Sequence, residues 1–273
     1  MSSRKKVGLA LGSGGFRGFA HIGVIKTLKK HGIPIDYLTG SSAGAWVAAH
    51  YAIFRDEKKL EQDLVVNPKA NVSVFFDLSR HGGLINGQKF ARRIDQTLEN
   101  RNFSDAKIPV KIATTDLISG QPFFFDSGEL SRAVRASSSV PLVFKPLVYR
   151  GHLLVDGALS NPVPTSLVRE MGADIVIAVN LYHRNEFVKK KFTMPKVVLR
   201  SARIVLYNLA QNDVKSADLV IDIDASEFNF DSGLKKYFSP AIAAELVKIG
   251  EKAAERMIPT IKEKLGLSNN HEI

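Results

Sequence analysis

An α/β domain with a mostly parallel sheet, covered by helices on both faces, is the fold class this sequence predicts. Three observations lead there. Apolar runs of strand length alternate along the chain with segments of helical periodicity. The strand-like runs carry few polar residues, as strands buried on both faces do. With 273 residues, 45% hydrophobic and 24% charged, the chain has an ordinary globular composition and can bury one substantial core. No repeat, low-complexity tract or long linker divides it, so one domain over 1–273 is expected. Its motif-bearing part spans about 7–224, and a C-terminal helix over about 240–265 packs on it.

The elements follow in order. Val7–Leu11 reads as the first strand, and Phe19–Lys30 as a helix with Ile22, Ile25 and Leu28 on its apolar face. Ile33–Thr39 reads as the second strand, leading through Gly40–Gly44 into a helix ending near Phe54. Asp56–Val66 and Gln88–Asn100 have helical patterns, with an ambiguous aromatic stretch (Val72, Val74, Phe75, Phe76) between them. Val110–Thr114 and Gln121–Phe125 form a strand pair, and Pro146–Tyr149 and His152–Val155 flank an Arg150-Gly151 turn. Pro164–Met171 is helical, and Asp174–Asn180 and Leu219–Ile223 are strands. A helix starts near Pro195, and the last one has Ser239 as N-cap and Pro240 at its first position. On that last helix Ile242, Leu246, Ile249, Ala253 and Met257 line one face, read as a core stripe.

The absence of cysteine excludes disulfides, thiolate catalysis and cysteine-bound metal, and permits a reducing compartment. The basic N-terminus is followed by an apolar run too short for a signal peptide, and no segment approaches the roughly 20 apolar residues of a membrane span. The expected location is cytoplasmic, with peripheral contact at the inner membrane surface. Net charge is +11, which attracts anionic partners. Its densest source is Lys189-Lys190-Lys191, followed by Lys196, Arg200 and Arg203 at helical spacing, with Phe187, Phe192 and Met194 interleaved. Two readings stand: a solvated basic loop and helix face, or a surface that docks on anionic lipid headgroups. No motif or aromatic–basic platform supports nucleic-acid binding.

Gly40-Ser41-Ser42-Ala43-Gly44 has the Gly-x-Ser-x-Gly spacing of a nucleophile elbow, in the strand–turn–helix setting it requires. Such a turn projects a serine hydroxyl at a helix N-terminus, where developing negative charge is favoured. The first strand runs into Gly12-Ser13-Gly14-Gly15-Phe16-Arg17-Gly18, whose glycines can turn backbone N–H groups toward one point, as an oxyanion cradle needs. The rival reading, a dinucleotide loop, departs by one residue from Gly-x-Gly-x-x-Gly. It also lacks the acid expected at the end of the second strand, which carries the elbow instead.

A nucleophilic serine needs a base. Asp156, ending the apolar run Leu153-Leu154-Val155 beside Gly157, is the leading candidate; the plain alternative is an Asp-Gly turn. In the order Ser…Asp…His, His183 or His271 is available for a conventional triad. His21, just past the glycine loop, reads as a packing or hydrogen-bonding residue there.

Three blocks together resemble the patatin-like phospholipase family, in its small single-domain bacterial type. Ser13-Gly14-Gly15-Phe16-Arg17-Gly18, followed by Ala20-His21-Ile22-Gly23-Val24, resembles the family's Gly-Gly-Gly-x-Arg-Gly block, and Gly40–Gly44 matches its elbow. Asp156-Gly157-Ala158 matches the family's Asp-Gly-Ala/Gly, and Ala136-Ser137-Ser138-Ser139-Val140-Pro141 resembles the segment before it. The resemblance implies a patatin-like three-layer sandwich and a Ser–Asp dyad without histidine, with Ser42 as nucleophile and Asp156 as base. It implies an oxyanion hole from backbone N–H groups of Gly14 and Gly15, with Arg17 close by and Gly12, Gly18, Gly40, Gly44 and Gly157 supporting the motifs. No cofactor or metal is implied, and the partner is a phospholipid or other acyl-ester lipid. Ser13 departs from the family's glycine; a positive φ there would strain it. The expected activity is lipid acyl hydrolysis of the phospholipase A or lysophospholipase kind. Phe75, Phe76, Phe90 and Phe123-Phe124-Phe125 are candidates for an acyl-chain groove. A regulatory or scaffold protein with little turnover, and a Ser–His–Asp esterase using His183, are the alternatives.

Overall fold

In this computed structural model the described residues are 4–66, 87–187, 193–228 and 239–267. The expected aromatic stretch over residues 72–76, the three lysines at 189–191, Phe192, His81 and His271 lie outside them. Val7–Leu11 forms β1, paired in parallel on one side with β2 (Tyr37–Ser41) and on the other with β7 (Ile175–Asn180). β3 (Val110–Asp116) extends the parallel sheet beyond β2, and β8 (Leu219–Asp222) extends it beyond β7. β4 (Pro122–Phe125) and β6 (His152–Val155) both run antiparallel to β3, and β5 (Leu147–Tyr149) forms a hairpin with β6. The order across the sheet is β5-β6-β3-β2-β1-β7-β8, with β4 joined to β3. The predicted mostly parallel sheet is present, with an antiparallel corner at one side.

Strand side chains alternate between two apolar layers. Val7, Leu9, Leu11, Leu38, Ile112, Ile177 and Ile221 face the larger core, under α1 (Ala20–Lys30), α2 (Ala43–Phe54), α4 (Gln88–Leu98), α5 (Leu130–Ser137) and α8 (Pro240–Leu265). Ala10, Val176 and Ala178 face the opposite layer, under α6 (Thr165–Glu170) and the C-terminal part of α7 (Met194–Asp213). α2 is apolar nearly all round and lies buried along most of its length.

Several boundaries differ from expectation for local reasons. β2 begins at Tyr37, not Ile33, because Pro34 has no amide to donate and the Asp36 carboxylate accepts the Val7 amide at 2.8 Å. Ile33 and Ile35 are buried all the same. The helix expected over Asp56–Val66 is α3 (Glu57–Glu61), N-capped by Asp56, followed by a wider π turn over Gln62–Val66. Ser239 stands at the N-cap of α8 but makes no side-chain capping bond. The buried stripe of α8 is Ala243, Leu246, Val247, Gly250, Ala254, Ile258 and Ile261. Of the expected stripe only Leu246 is fully buried; Ile242, Ile249, Ala253 and Met257 flank the core. The helix is rotated because Gly250 lets it press onto α1, where a Cβ would stand 1.9 Å from the Ala20 carbonyl oxygen. Helix α5 was not foreseen as an element.

Candidate active site

β1 and β2 are parallel neighbours, with Leu11 opposite Gly40. The glycine loop that leaves β1 and the serine that leaves β2 therefore emerge side by side at the carboxyl edge of the sheet. Ser42 sits between the last residue of β2 and the first of α2 at φ 53, ψ −118, a conformation that costs a non-glycine residue energy unless its surroundings hold it. Those surroundings are specific. The Ser42 amide donates to Ser137 Oγ at 2.7 Å, and Ser137 Oγ donates to the Ala113 carbonyl on β3 at 2.7 Å. Gly44 brings α2 directly onto the base of the glycine loop, since a Cβ there would stand 2.1 Å from the Leu11 carbonyl oxygen and 2.7 Å from that of Gly12. Although Ser42 occupies the N-cap position of α2, its hydroxyl makes no capping bond. It donates instead to Asp156 Oδ2 at 2.7 Å.

Asp156 directly follows β6 and caps the 3-10 turn Gly157–Leu159, where its Oδ1 accepts the Ala158 amide at 2.9 Å. Its backbone is tied at both ends: its amide donates to the Ser139 carbonyl at 3.1 Å, and its carbonyl accepts from Thr115 Oγ1 at 2.9 Å. Burial pushes its carboxyl up to about 6, against the smaller opposing pull of the Ala158 and Ser42 hydrogen bonds.

The loop itself is braced from three directions. The Gly12 and Ser13 amides donate to the carbonyls of Val179 and Pro162 at 3.0 and 2.8 Å. Ser13 does not adopt a positive φ, and its hydroxyl shares a 2.7 Å bond with the Tyr182 hydroxyl. Serine in place of glycine is thus accommodated without strain, and its occupied amide takes no further acceptor. Gly14 has φ 170 and ψ 10 and Gly15 is left-handed (φ 60); the 3-10 helix over Gly15–Phe19 then leads into α1. Amides at the start of such a helix have no intrahelical acceptor. Arg17 Nε donates back to the Gly14 carbonyl at 3.2 Å, and its guanidinium lies 5.6 Å from the Tyr182 ring centroid. Gly18 packs against Ala43, joining the loop to the elbow. The His21 ring donates through Nε2 to the Gly12 carbonyl at 2.7 Å; complete burial pushes it down to about 4, so it is neutral near pH 7. It supports the loop, as the sequence suggested.

His183 belongs to a different set of contacts. Its Nδ1 accepts the Asn185 amide at 3.2 Å and lies 3.5 Å from Asp224 Oδ1, while the Ser42 hydroxyl is directed to Asp156. Of the aromatic groove candidates, Phe90 and Phe125 are buried core residues. Phe90 stacks on Phe144, whereas Phe123 is partly buried in an aromatic cluster with Tyr149 and His152. Phe75 and Phe76 lie outside the described residues.

Sequence reading missed the support behind the pair. Arg135, buried on α5, donates to Ser139 Oγ at 2.6 Å and to the Lys145 carbonyl at 3.1 Å, fixing the segment whose carbonyl holds the Asp156 amide. The available signal was the spacing Leu130, Ala133, Val134, Ser137, which puts Ser137 on the buried face of a helix. Among the described residues no group of three or more His, Asp and Glu side chains is arranged to hold a metal ion. Chemically, the site offers a serine hydroxyl already bonded to a desolvated carboxylate, with a backbone-amide loop beside it.

A family profile described as patatin-like phospholipase matches residues 9–169 of the chain. An uncharacterised NTE family protein of Mycobacterium tuberculosis is 33% identical over 180 residues, which are 66% of this chain and 50% of that protein. A lysophospholipase, NTE1 of Coccidioides immitis, is 33% identical over 184 residues, 65% of this chain and 12% of its own. The chain thus spans at most about half the length of these relatives. Among solved structures, VipD from Legionella pneumophila shares the fold with a TM-score of 0.55 at 13% identity, over 95% of this chain and 67% of VipD.

Proposed function

This chain belongs to the patatin-like phospholipase family, and from that premise we propose that it is a serine lipid acyl hydrolase of the phospholipase A or lysophospholipase kind, working through Ser42 and Asp156 alone. The observation that carries the reading is the 2.7 Å hydrogen bond from Ser42 Oγ to Asp156 Oδ2. A carboxylate held near 6 by burial is an effective general base close to neutral pH, where it is ionised yet basic enough to accept a proton.

Asp156 takes the proton as Ser42 Oγ attacks the ester carbonyl of a lipid. The developing oxyanion lies against the Gly14 and Gly15 amides at the N-terminal end of the loop helix. Each such donor is worth about 3–4 kcal/mol of barrier. The alcohol leaves with the proton returned by Asp156, giving an acyl ester on Ser42. Asp156 then deprotonates a water that releases the fatty acid and restores the serine. Arg17, set beside these amides, braces the loop through the bond from its Nε to the Gly14 carbonyl. The lysophospholipase name of one relative agrees with an acyl-ester substrate.

Labelling with a fluorophosphonate tests the reading. Wild type should be modified at one site and Ser42→Ala not at all; equal labelling of both would remove Ser42 as the nucleophile.

A further inference from the structure

Two apolar projections stand at the carboxyl edge of the sheet, on opposite sides of Ser42. The first is the N-terminal part of α7. This helix joins the parallel neighbours β7 and β8, so it runs back from the carboxyl edge toward the amino edge. It meets the core only late: Leu206 and Tyr207 pack on the layer that contains Tyr182, just past the end of β7, and Ala210 is fully buried. Residues 194–205 therefore continue outward for about 18 Å at the helical rise. Along that length Met194, Val198 and Val205 are 76%, 65% and 57% exposed.

The second projection lies at the other side of the sheet. The β5–β6 hairpin extends past the end of β3, where the Leu117 amide donates to the Leu153 carbonyl. Val148 on β5, Ile118 just past β3 and Leu142 in the loop leading into β5 are 75%, 73% and 87% exposed. Leu142 is held at φ 68, so a left-handed backbone conformation presents this apolar side chain to solvent. The strand order sets β2, with Ser42 at its end, between the two projections.

A small ligand would meet one of these projections; a continuous surface meets both. The charge identifies the surface. From Met194 to Asn212 the chain carries Lys196, Arg200 and Arg203 and no acidic residue, within a protein of net charge +11, and Arg150 stands at the turn of the β5–β6 hairpin. We propose that this edge docks on an anionic lipid surface, with the N-terminal half of α7 and the loop carrying Leu142 entering the headgroup layer on either side of Ser42. The proposal rests on the lipid-hydrolase reading for its purpose but not for its test.

The full chain carrying Ser42→Ala is sedimented with vesicles of phosphatidylcholine mixed with phosphatidylglycerol, and with vesicles of phosphatidylcholine alone. Binding to the mixed vesicles should be stronger, and Val198→Gln with Val205→Gln should weaken it about tenfold, as should Leu142→Asn, which suits a positive φ. With Ser42 intact, the α7 variant should hydrolyse a soluble short-chain ester within about twofold of wild type, which also shows that it is folded. Binding left unchanged by both variants, or equal binding to the two vesicle types, overturns the proposal. So does a shift of the variant to a smaller oligomer in the absence of lipid, which would assign the helix face to a second copy of the chain. Loss of soluble-ester hydrolysis in every form would count against the hydrolase reading while leaving the vesicle result to decide the docking surface.

Discussion

Ser42 combines a left-handed backbone with a hydroxyl that leaves its own helix uncapped, so the side chain is available to Asp156. Asp156 in turn gives up solvation to reach it. Its carboxyl is raised from 3.8 to about 6, so the folded state binds the proton more tightly than the unfolded chain. The stability that this proton confers is present below about pH 4 and is lost as pH rises through 6. Asp156→Asn should therefore be more stable than wild type at pH 7–8, by about 3 kcal/mol, with the difference vanishing near pH 4 in thermal unfolding. The same variant should lose at least about a thousandfold in kcat/KM. In wild type, kcat/KM should rise about tenfold per pH unit up to about 6 and then level off. His183→Ala should leave that profile within a few-fold of wild type. Ser137→Ala leaves the Ser42 amide without its acceptor; we expect a loss of about 1–2 kcal/mol in stability and a drop in kcat with KM little changed. Ser42 and Asp156 were legible because each lies inside a compact local motif. Ser137 and Arg135 were not, because their roles depend on contacts with residues far along the chain, such as Ala113 and Lys145.

At the scale of elements, local apolar patterns identified most helices and strands, and side-chain detail moved their limits. The early start expected for β2 failed at Pro34 and Asp36, where backbone hydrogen bonding goes to a loop–strand clasp with Val7. The face of α8 was displaced because a count of large apolar residues overlooks glycine and alanine, which permit the closest packing. A Cβ at Gly23 would stand 2.0 Å from the Val247 carbonyl oxygen, the reciprocal of the Gly250 contact. Gly250→Ala should therefore destabilise the protein by about 1–3 kcal/mol despite its higher helix propensity, measured by urea unfolding. An unchanged midpoint would mean that α1 and α8 can separate freely.

For the whole molecule, alternating strands and helices pointed to a parallel sheet, but nothing in the linear pattern revealed that β6 would return antiparallel to β3. That return is what carries Asp156 from late in the chain to the end of β2. The site is thus a product of sheet order, with the proposed nucleophile and base at the ends of different strands and the amide loop at the end of a third. α8 closes the larger core against α1 and β8, and we expect a chain ending at residue 239 to lose cooperative unfolding in calorimetry. The most direct test of the two-residue chemistry is mass spectrometry of the protein quenched during turnover of a slow acyl ester. Wild type should carry the acyl group on the peptide containing Ser42, and Asp156→Asn should carry almost none. An acyl group on another residue, or acylation of Asp156→Asn as fast as wild type, would contradict the account.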